Sequence, residues 1–500
     1  MDKKITAAPG AAAIAAGKRA SWLKELRETF TLAWPLVIAQ VAQNALITTD
    51  VIMMGWLGPK QLAAGTLAST FIMPFLVGAV GVISAIAPLV AQARGARNIR
   101  AVRRIVRQGF WAVIILSAVL IPLILQVKPI FLFLGQNPET TMLAEQYIQI
   151  GVAMFVPGLA VIVLRSMLSA FNTTRIILVL TLAAVVVNAI GDYLLMFGVF
   201  GLPRLGLRGA AIATVITNLF MFAVFLTYVL NHKRFRRFHI LWNFWKPDWH
   251  HLAQIFRIGT PIGMTVLAEV GLFTAAALLM GLIGTNEIAA HAIAMQSASM
   301  AFMVPLGLGV ACTVRVGYAY GRGDDEGVRK AGWTALGLST AFMTVSCITF
   351  ILGAPLIVTI FLDPDRAANT DALRLGASYL VVAGLFQLVD GAQVVAAHAL
   401  RGLSDTKVPM LVAIVSYWFI GLPIAYVMGF TFNLQGVGML VGTGRRSGVC
   451  GNCSGHQIRH ARATGLASTD SMTTADRTGA SPPFGCGTMS AAAWHTGGLP

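Results

Sequence analysis

Apolar runs long enough to cross a bilayer recur along the chain, separated by short polar turns. About 20 apolar residues suffice for one crossing. The pattern predicts helices near Thr31–Leu57, Leu67–Ala91, Gly109–Leu125, Ile148–Leu168, Ile176–Phe200 and Gly209–Leu230. It resumes near Ile258–Ile283, Ile288–Val314, Gly332–Leu352, Gly376–Leu400 and Val408–Phe430. Between the two sets lies the polar stretch Asn231–His251, whose Trp and Phe residues suit a membrane–water interface. The expected fold class is an all-α polytopic membrane protein.

Composition agrees. The chain is 56% hydrophobic and 11% charged, with mean hydropathy +0.74, whereas a soluble domain carries roughly 25% charged residues. The net charge of +17 does not imply nucleic acid, because no basic patch interleaves with aromatics on a soluble domain. Most of the 37 Lys and Arg residues fall on one side of the predicted helices, with the N-terminus. The opposite side holds Lys60, Lys128, Arg204, Arg208, Arg366 and Arg374. The positive-inside rule then puts the N-terminus in the cytoplasm. No signal peptide is evident, and the Ala/Gly/Pro-rich start reads as disordered. Cys312 and Cys347 sit in apolar runs and read as small core residues.

The halves repeat. One constant offset places Pro35 on Pro261, Gly55 on Gly281, Gly58 on Gly284, Gly81 on Gly307, Gly95 on Gly321 and Pro138 on Pro364. After a short insertion Tyr147 meets Tyr379, and Phe171-Asn-Thr-Thr-Arg175 meets Leu403-Ser-Asp-Thr-Lys407. An even number of helices per unit makes the copies parallel, as in many transporters. The expected division is an N-terminal cytoplasmic segment (1–27), an N-terminal lobe (28–240), a C-terminal lobe (241–441) and a tail (442–500).

Acids inside the helices are few: Asp50, Asp192, Glu269 and Asp390. A carboxylate near mid-membrane costs at least ~2.5 kcal/mol and marks a functional site by default. Asp50, Asn188, Asp192 and Thr214 all fall within about 8–18 Å of the outer boundary at the helical rise. Such oxygens suit a small hard cation or, equally, a proton. Glu269 and Asp390 fall near the midplane of the second half, with no Lys or Arg expected at their depth. The repeat puts Gln43 where Glu269 sits, so the halves are chemically specialised. Gln40, Gln43, Asn44 and Thr48 recur at helical spacing and line either a polar cavity or a helix–helix contact. Abundant Met and Phe suit an adaptable apolar pocket. His291 and His398 suit proton relays, but as lone histidines they read more readily as packing residues. No H-E-x-x-H cluster and no phosphate-binding glycine loop occurs, so neither an intramembrane metalloenzyme nor ATP-driven transport is expected.

At Thr443 the chain changes character. Gly436 should open a twelfth helix, yet no apolar run of spanning length follows. Gly, Ala, Ser, Thr and Arg dominate there, and three of the five cysteines appear. The abruptness points to a reading-frame change and to a weak or inactive product. Cys450-x-x-Cys453-x-x-His456-x-x-x-His460 has the form of a zinc site but reads as accidental.

Three stretches, TPIGMTVLAEVG (Thr260–Gly271), AAHAIAMQSASMAFMVPLGLGVACTVRVGYAYGRGD (Ala289–Asp324) and VDGAQVVAAHALRGLSDTK (Val389–Lys407), resemble the multidrug and toxic compound extrusion (MATE) family, in its bacterial NorM branch. The resemblance runs from about Arg27 to Leu440. It implies twelve helices in two six-helix lobes, a V-shaped cavity, and export of organic cations and drugs against inward Na⁺ or H⁺. The protein is expected in the bacterial inner membrane, as a monomer with no cofactor and no nucleic-acid partner. By resemblance, Glu269 and Asp390 match the second-lobe cation-binding acids, and Asp50, Asn188, Asp192 and Thr214 match the first-lobe cluster. Phe386 stands where relatives often carry a tyrosine, so one hydroxyl ligand is missing and Na⁺ and H⁺ stay open. A flippase for lipid-linked precursors is the competing reading, and membrane acids favour cationic cargo over it.

Overall fold

The computed structural model describes residues 11–428, apart from residues 202, 241, 243 and 363–369. Among the described residues, 11 helices are long and apolar enough to cross a membrane. The first half supplies α1 (Ser21–Leu57), α2 (Pro59–Gly95), α3 (Ile99–Ile124), α4 (Pro138–Ala170), α5 (Thr174–Phe197) and α6 (Leu207–Asn231). The second supplies α7 (Trp249–Gly281), α8 (Asn286–Gly321), α9 (Asp325–Thr359), α10 (Thr370–Gly402) and α11 (Lys407–Tyr426). In lipid each backbone polar group must be satisfied within its own segment, which leaves the helix as the form for such runs. The helices outrun the apolar cores read from sequence because capped, polar ends extend them. The helical backbone already runs from Ala11, so the expected disorder of the start fails over residues 11–20. Alanine is the best helix former, and a helix continuing into α1 needs no new nucleus. The predicted start of a twelfth helix at Gly436, the change at Thr443 and the Cys/His spacing lie outside the described residues. In the connector, Trp242, Trp245 and Trp249 are exposed, while Phe244 stacks on Trp111.

The repeat is visible at equivalent turns. Asn98 and Asp324 each cap the following helix, accepting from the backbone N–H of Ala101 (3.0 Å) and Gly327 (2.8 Å). Arg97 and Gly323 both take positive φ in those turns (56° and 69°), as do Asn172 and Ser404 (59° and 63°). Close helix approaches also come in pairs. At Gly81 an added Cβ would strike the backbone of Gly263, and at Gly307 it would strike the backbone of Val37. The offset carries the first pair onto the second, so α2 packs on α7 as α8 packs on α1. Gly95 and Gly321, which the offset relates to each other, meet directly. A contact between equivalent residues lies on the axis relating the halves, and this axis runs along the helices.

These approaches lie toward the helix ends that share a side with the N-terminus. Polar bonds reinforce them. Arg315 of α8 is held by Glu25 of α1 through Nε (2.9 Å) and Nη2 (2.5 Å), and by Glu28 through Nη1 (2.6 Å). Gln92 Nε2 donates to the Gly402 carbonyl at 2.8 Å. Arg94 donates to the Ala170 carbonyl at 2.5 Å and lies 4.8 Å from the Tyr318 ring centre. The halves are thus clamped together on the N-terminal side.

Candidate functional site

Three helices of the second half enclose a cavity of about 380 Å³. Glu269 and Phe273 enter it from α7, His291 and Met295 from α8, and Phe386, Gln387 and Asp390 from α10. Glu269 and Asp390 therefore share one space, which Phe386 also lines. Gln387 is locked: its Nε2 donates to the Ala298 carbonyl at 2.8 Å and its Oε1 accepts from Ser346 Oγ at 3.1 Å. Trp418 Nε1 donates to the Ala268 carbonyl at 3.2 Å, bracing α7 beside Glu269. A second, more open and apolar cavity of about 540 Å³ shares Phe273, His291 and Met295 with the first. Ala292 lines both as well.

Two readings are corrected here. Glu269 was expected to have no basic residue near its depth, but it lies within the electrostatic reach of Arg401. Arg401 lies one residue before the end of α10. Its Nη1 meets His398 Nε2 at 3.3 Å, and His398 Nδ1 faces the Val394 carbonyl at 2.9 Å. His398 is buried and does not line the cavity. His291, for which packing was the favoured reading over a proton relay, lines the cavity, and its Nδ1 has no hydrogen-bond partner among the described residues.

In the first half, Asp50 of α1 faces Asp192 and Asn188 of α5 and Thr214 of α6. Asn188 and Asp192 are fully buried. Both polar atoms of Asn188 and both oxygens of Asp192 lack a well-formed hydrogen bond among the described residues. Buried orphan oxygens of this kind are costly unless something charged or protonated satisfies them. Sequence reasoning missed Tyr147 of α4, which faces Asp50 and Thr214, and Ser69 of α2, which faces Tyr147. The repeat had singled out Tyr147 through its match to Tyr379, and that was the available signal. No three of His, Cys, Asp and Glu approach closely enough to hold a metal among the described residues. A transition-metal centre has no ligand set there; an oxygen-lined site for a hard cation needs none of those clusters.

Gln40 and Gln43 line neither described cavity. Their oxygens accept from Arg165 of α4, at 3.2 and 2.6 Å. The Asn44 carbonyl accepts from Thr48 Oγ1 at 3.1 Å.

The chain matches the MatE family model twice, over residues 35–194 and 261–427. Each match begins at one of the repeat-related prolines, Pro35 and Pro261. The probable multidrug resistance protein NorM of Mesorhizobium japonicum is 42% identical over 86% of this chain and 93% of that protein. Its counterpart in Synechocystis is 37% identical over 84% of this chain and 91% of that protein. Among solved structures, a mutant of the Vibrio cholerae MATE transporter VcmN superposes with TM-score 0.82 at 18% identity, covering 89% of this chain and 99% of that one. The eukaryotic MATE transporter AtDTX14 gives 0.76 at 20% identity, covering 88% and 99%. The two solved structures share the fold. Together with the paired matches, the relatives show that this chain belongs to the MatE family.

Proposed function

We propose that the chain is a secondary active exporter of organic cations, driven by inward Na⁺ or H⁺. The observation that carries this reading is the cavity in which Glu269 and Asp390 meet Phe273, Phe386 and Met295. Carboxylates give it affinity for positive charge, and polarisable apolar walls accept varied shapes. A cavity holding acids disfavours an anionic lipid-linked cargo. Occupation of the carboxylates by the coupling cation and by cargo is mutually exclusive, so each displaces the other. The N-terminal side is cytoplasmic in this reading, and the clamped halves form the state that faces outward. Expression in cells stripped of their own pumps tests the reading: accumulation of a fluorescent cation falls if it holds, and is unchanged if it does not.

Asp50, Asn188, Asp192 and Thr214, with Tyr147, form the second coupling site. Two close acids bind a proton or a cation as one unit. Purified protein is expected to gain thermal stability on adding Na⁺ or lowering pH, by mass action. Asp192→Asn is expected to remove at least half of that gain. A full gain in this variant and in Asp50→Asn would contradict the assignment.

The tail bears on turnover. Replacing residues 443–500 by the corresponding segment of the Mesorhizobium relative is expected to raise cation efflux several-fold, by giving α7 and α11 the apolar neighbour that the repeat demands. Equal efflux from the two proteins, at equal membrane levels, would show that the natural tail serves as well.

A further inference from the structure

α11 is not a uniform helix. Residues Val415–Gly421 form a π-helical turn. Such turns are rare and occur often at functional sites. The offset that carries Phe171 onto Leu403 carries residues 183–189 of α5 onto this turn. There the helix is α-helical throughout, from Thr174 to Phe197. The wide turn is therefore a feature that the second half does not share with its copy.

Two consecutive side chains on that turn hold the two helices that carry the acids. Trp418 Nε1 donates to the carbonyl of Ala268, the residue before Glu269, at 3.2 Å. Gly271 leaves room for the indole, since an added Cβ would lie 2.9 Å from it. The Tyr417 hydroxyl is hydrogen-bonded to the side-chain amide of Gln393. Gln393 follows Asp390 by three residues, which places both on one side of α10. Tyr417 and Gln393 are buried. Arg401 lies within the electrostatic reach of both Glu269 and Tyr417. Neither Tyr417 nor Trp418 lines either described cavity, so they act through the backbone and side chains they hold.

The first half uses the same helix differently. α5 carries Asn188 and Asp192, where α11 carries Ile420 and Ile424. One helix supplies polar groups to its cluster, and its copy supplies ties to the acids of two other helices. Spacing matters most for a small ion. Oxygen ligands of a hard cation must stay within roughly a few tenths of an ångström of one distance. A proton shared by two acids is equally sensitive to their separation. A large organic cation is not, because polarisable apolar walls accept it in more than one pose.

We propose that Tyr417 and Trp418 are positioning residues for the coupling ion: by tying α10 at Gln393 and α7 at Ala268, they set the separation of Asp390 and Glu269. This inference rests on the reading of those two acids as the group for which ion and cargo compete.

The test uses the full-length protein in lipid nanodiscs and a cationic rhodamine ester. Bound dye is released by adding Na⁺ at fixed pH or by adding acid without Na⁺. Glu269, His291, Asp390 and Arg401, the charged and titratable groups nearest the site, stay unchanged throughout. In Tyr417→Phe, dye affinity without competing ion is expected to change less than about twofold. The concentration of Na⁺ or of protons that releases half of the dye is expected to rise about tenfold or more, the scale of a misplaced ligand. Trp418→Phe should act alike, and it leaves the Ala268 carbonyl its helical hydrogen bond. Losing the Tyr417 hydroxyl also strands the buried Gln393 amide, which lowers stability to heat. Tyr417→Phe combined with Gln393→Leu removes both partners, so stability should recover while ion release stays shifted. Recovery of ion release together with stability would give Tyr417 a structural role only and overturn the inference. So would unchanged ion release in Tyr417→Phe and Trp418→Phe, or equal losses for dye and ion. Failure of Na⁺ and protons alike to release dye from the natural protein would instead count against the two acids as a coupling site, and the inference would fall with that reading.

Discussion

Glu269→Gln is expected to reach the membrane in normal amount and to lose at least about tenfold of its cation efflux, a loss of roughly 1.4 kcal/mol or more in the limiting step. Glutamine keeps the size of glutamate and removes the charge. The cavity keeps its shape, because its frame does not depend on that charge: Gln387 is tied to Ala298 and Ser346, and α7 is braced by Trp418 on Ala268. What goes is the group for which coupling ion and cargo compete. Asp390→Asn should behave alike, since both acids line one space. The double variant should be little worse than either single one, as groups acting as a unit are non-additive. Arg401 adds a second signature. With Glu269 neutral, Arg401 loses a nearby countercharge, so Glu269→Gln combined with Arg401→Gln is expected to be more stable to heat than Glu269→Gln alone. Natural efflux levels in both Glu269→Gln and Asp390→Asn would contradict the assignment.

Arg315→Gln is the second large effect. Arg315 joins α8 to α1 across the contact between halves, and it and Glu25 are both nearly buried, at 16% and 14% side-chain exposure. Removing one member of a buried pair leaves the other charge stranded and costs about 3–5 kcal/mol. Glu28, at 43%, is screened by solvent and contributes less. The cost falls on the clamped state, because opening the N-terminal side lets water reach Glu25. About 3 kcal/mol moves a two-state equilibrium by more than about 100-fold. Val37→Cys, packed under Gly307, reports the change. Its reaction with a membrane-impermeant thiol reagent on the N-terminal side should accelerate sharply in Arg315→Gln. Adding Glu25→Gln should slow it again, because the charge left stranded in the buried position is then gone and Glu28 is screened by solvent. An unchanged rate would show that the ion pair does not hold the halves together.

The helices were legible because a bilayer leaves an apolar run one solution, and the repeat because glycines mark where backbones must touch. Gly81, Gly95, Gly307 and Gly321 sit at matching offsets for that reason. Depth counting also grouped the acids as the structure does: Asp50 with Asp192, and Glu269 with Asp390. Counting residues along a helix gives height but not rotation, and it ignores side-chain length. Arg401 and Arg165 were therefore not singled out, though one lies within the electrostatic reach of Glu269 and the other donates to Gln40 and Gln43. His291 was weighted toward packing for a different reason. A lone histidine carries no pattern in sequence, and only the packing of α7, α8 and α10 puts it beside two acids. The start of the chain was misread because alanine-rich sequence is compatible with disorder until a downstream helix nucleates it.

The central claim, that an ion gradient drives cation export through these carboxylates, is tested most directly in proteoliposomes of the purified full-length chain. Vesicles carry an imposed Na⁺ or pH gradient, and movement of a fluorescent organic cation is followed with time. The account predicts that the dye moves against its own gradient only while an ion gradient of opposite direction persists, and that Glu269→Gln vesicles do not move it. Dye movement indifferent to both gradients, or equal in the two proteins, would contradict it.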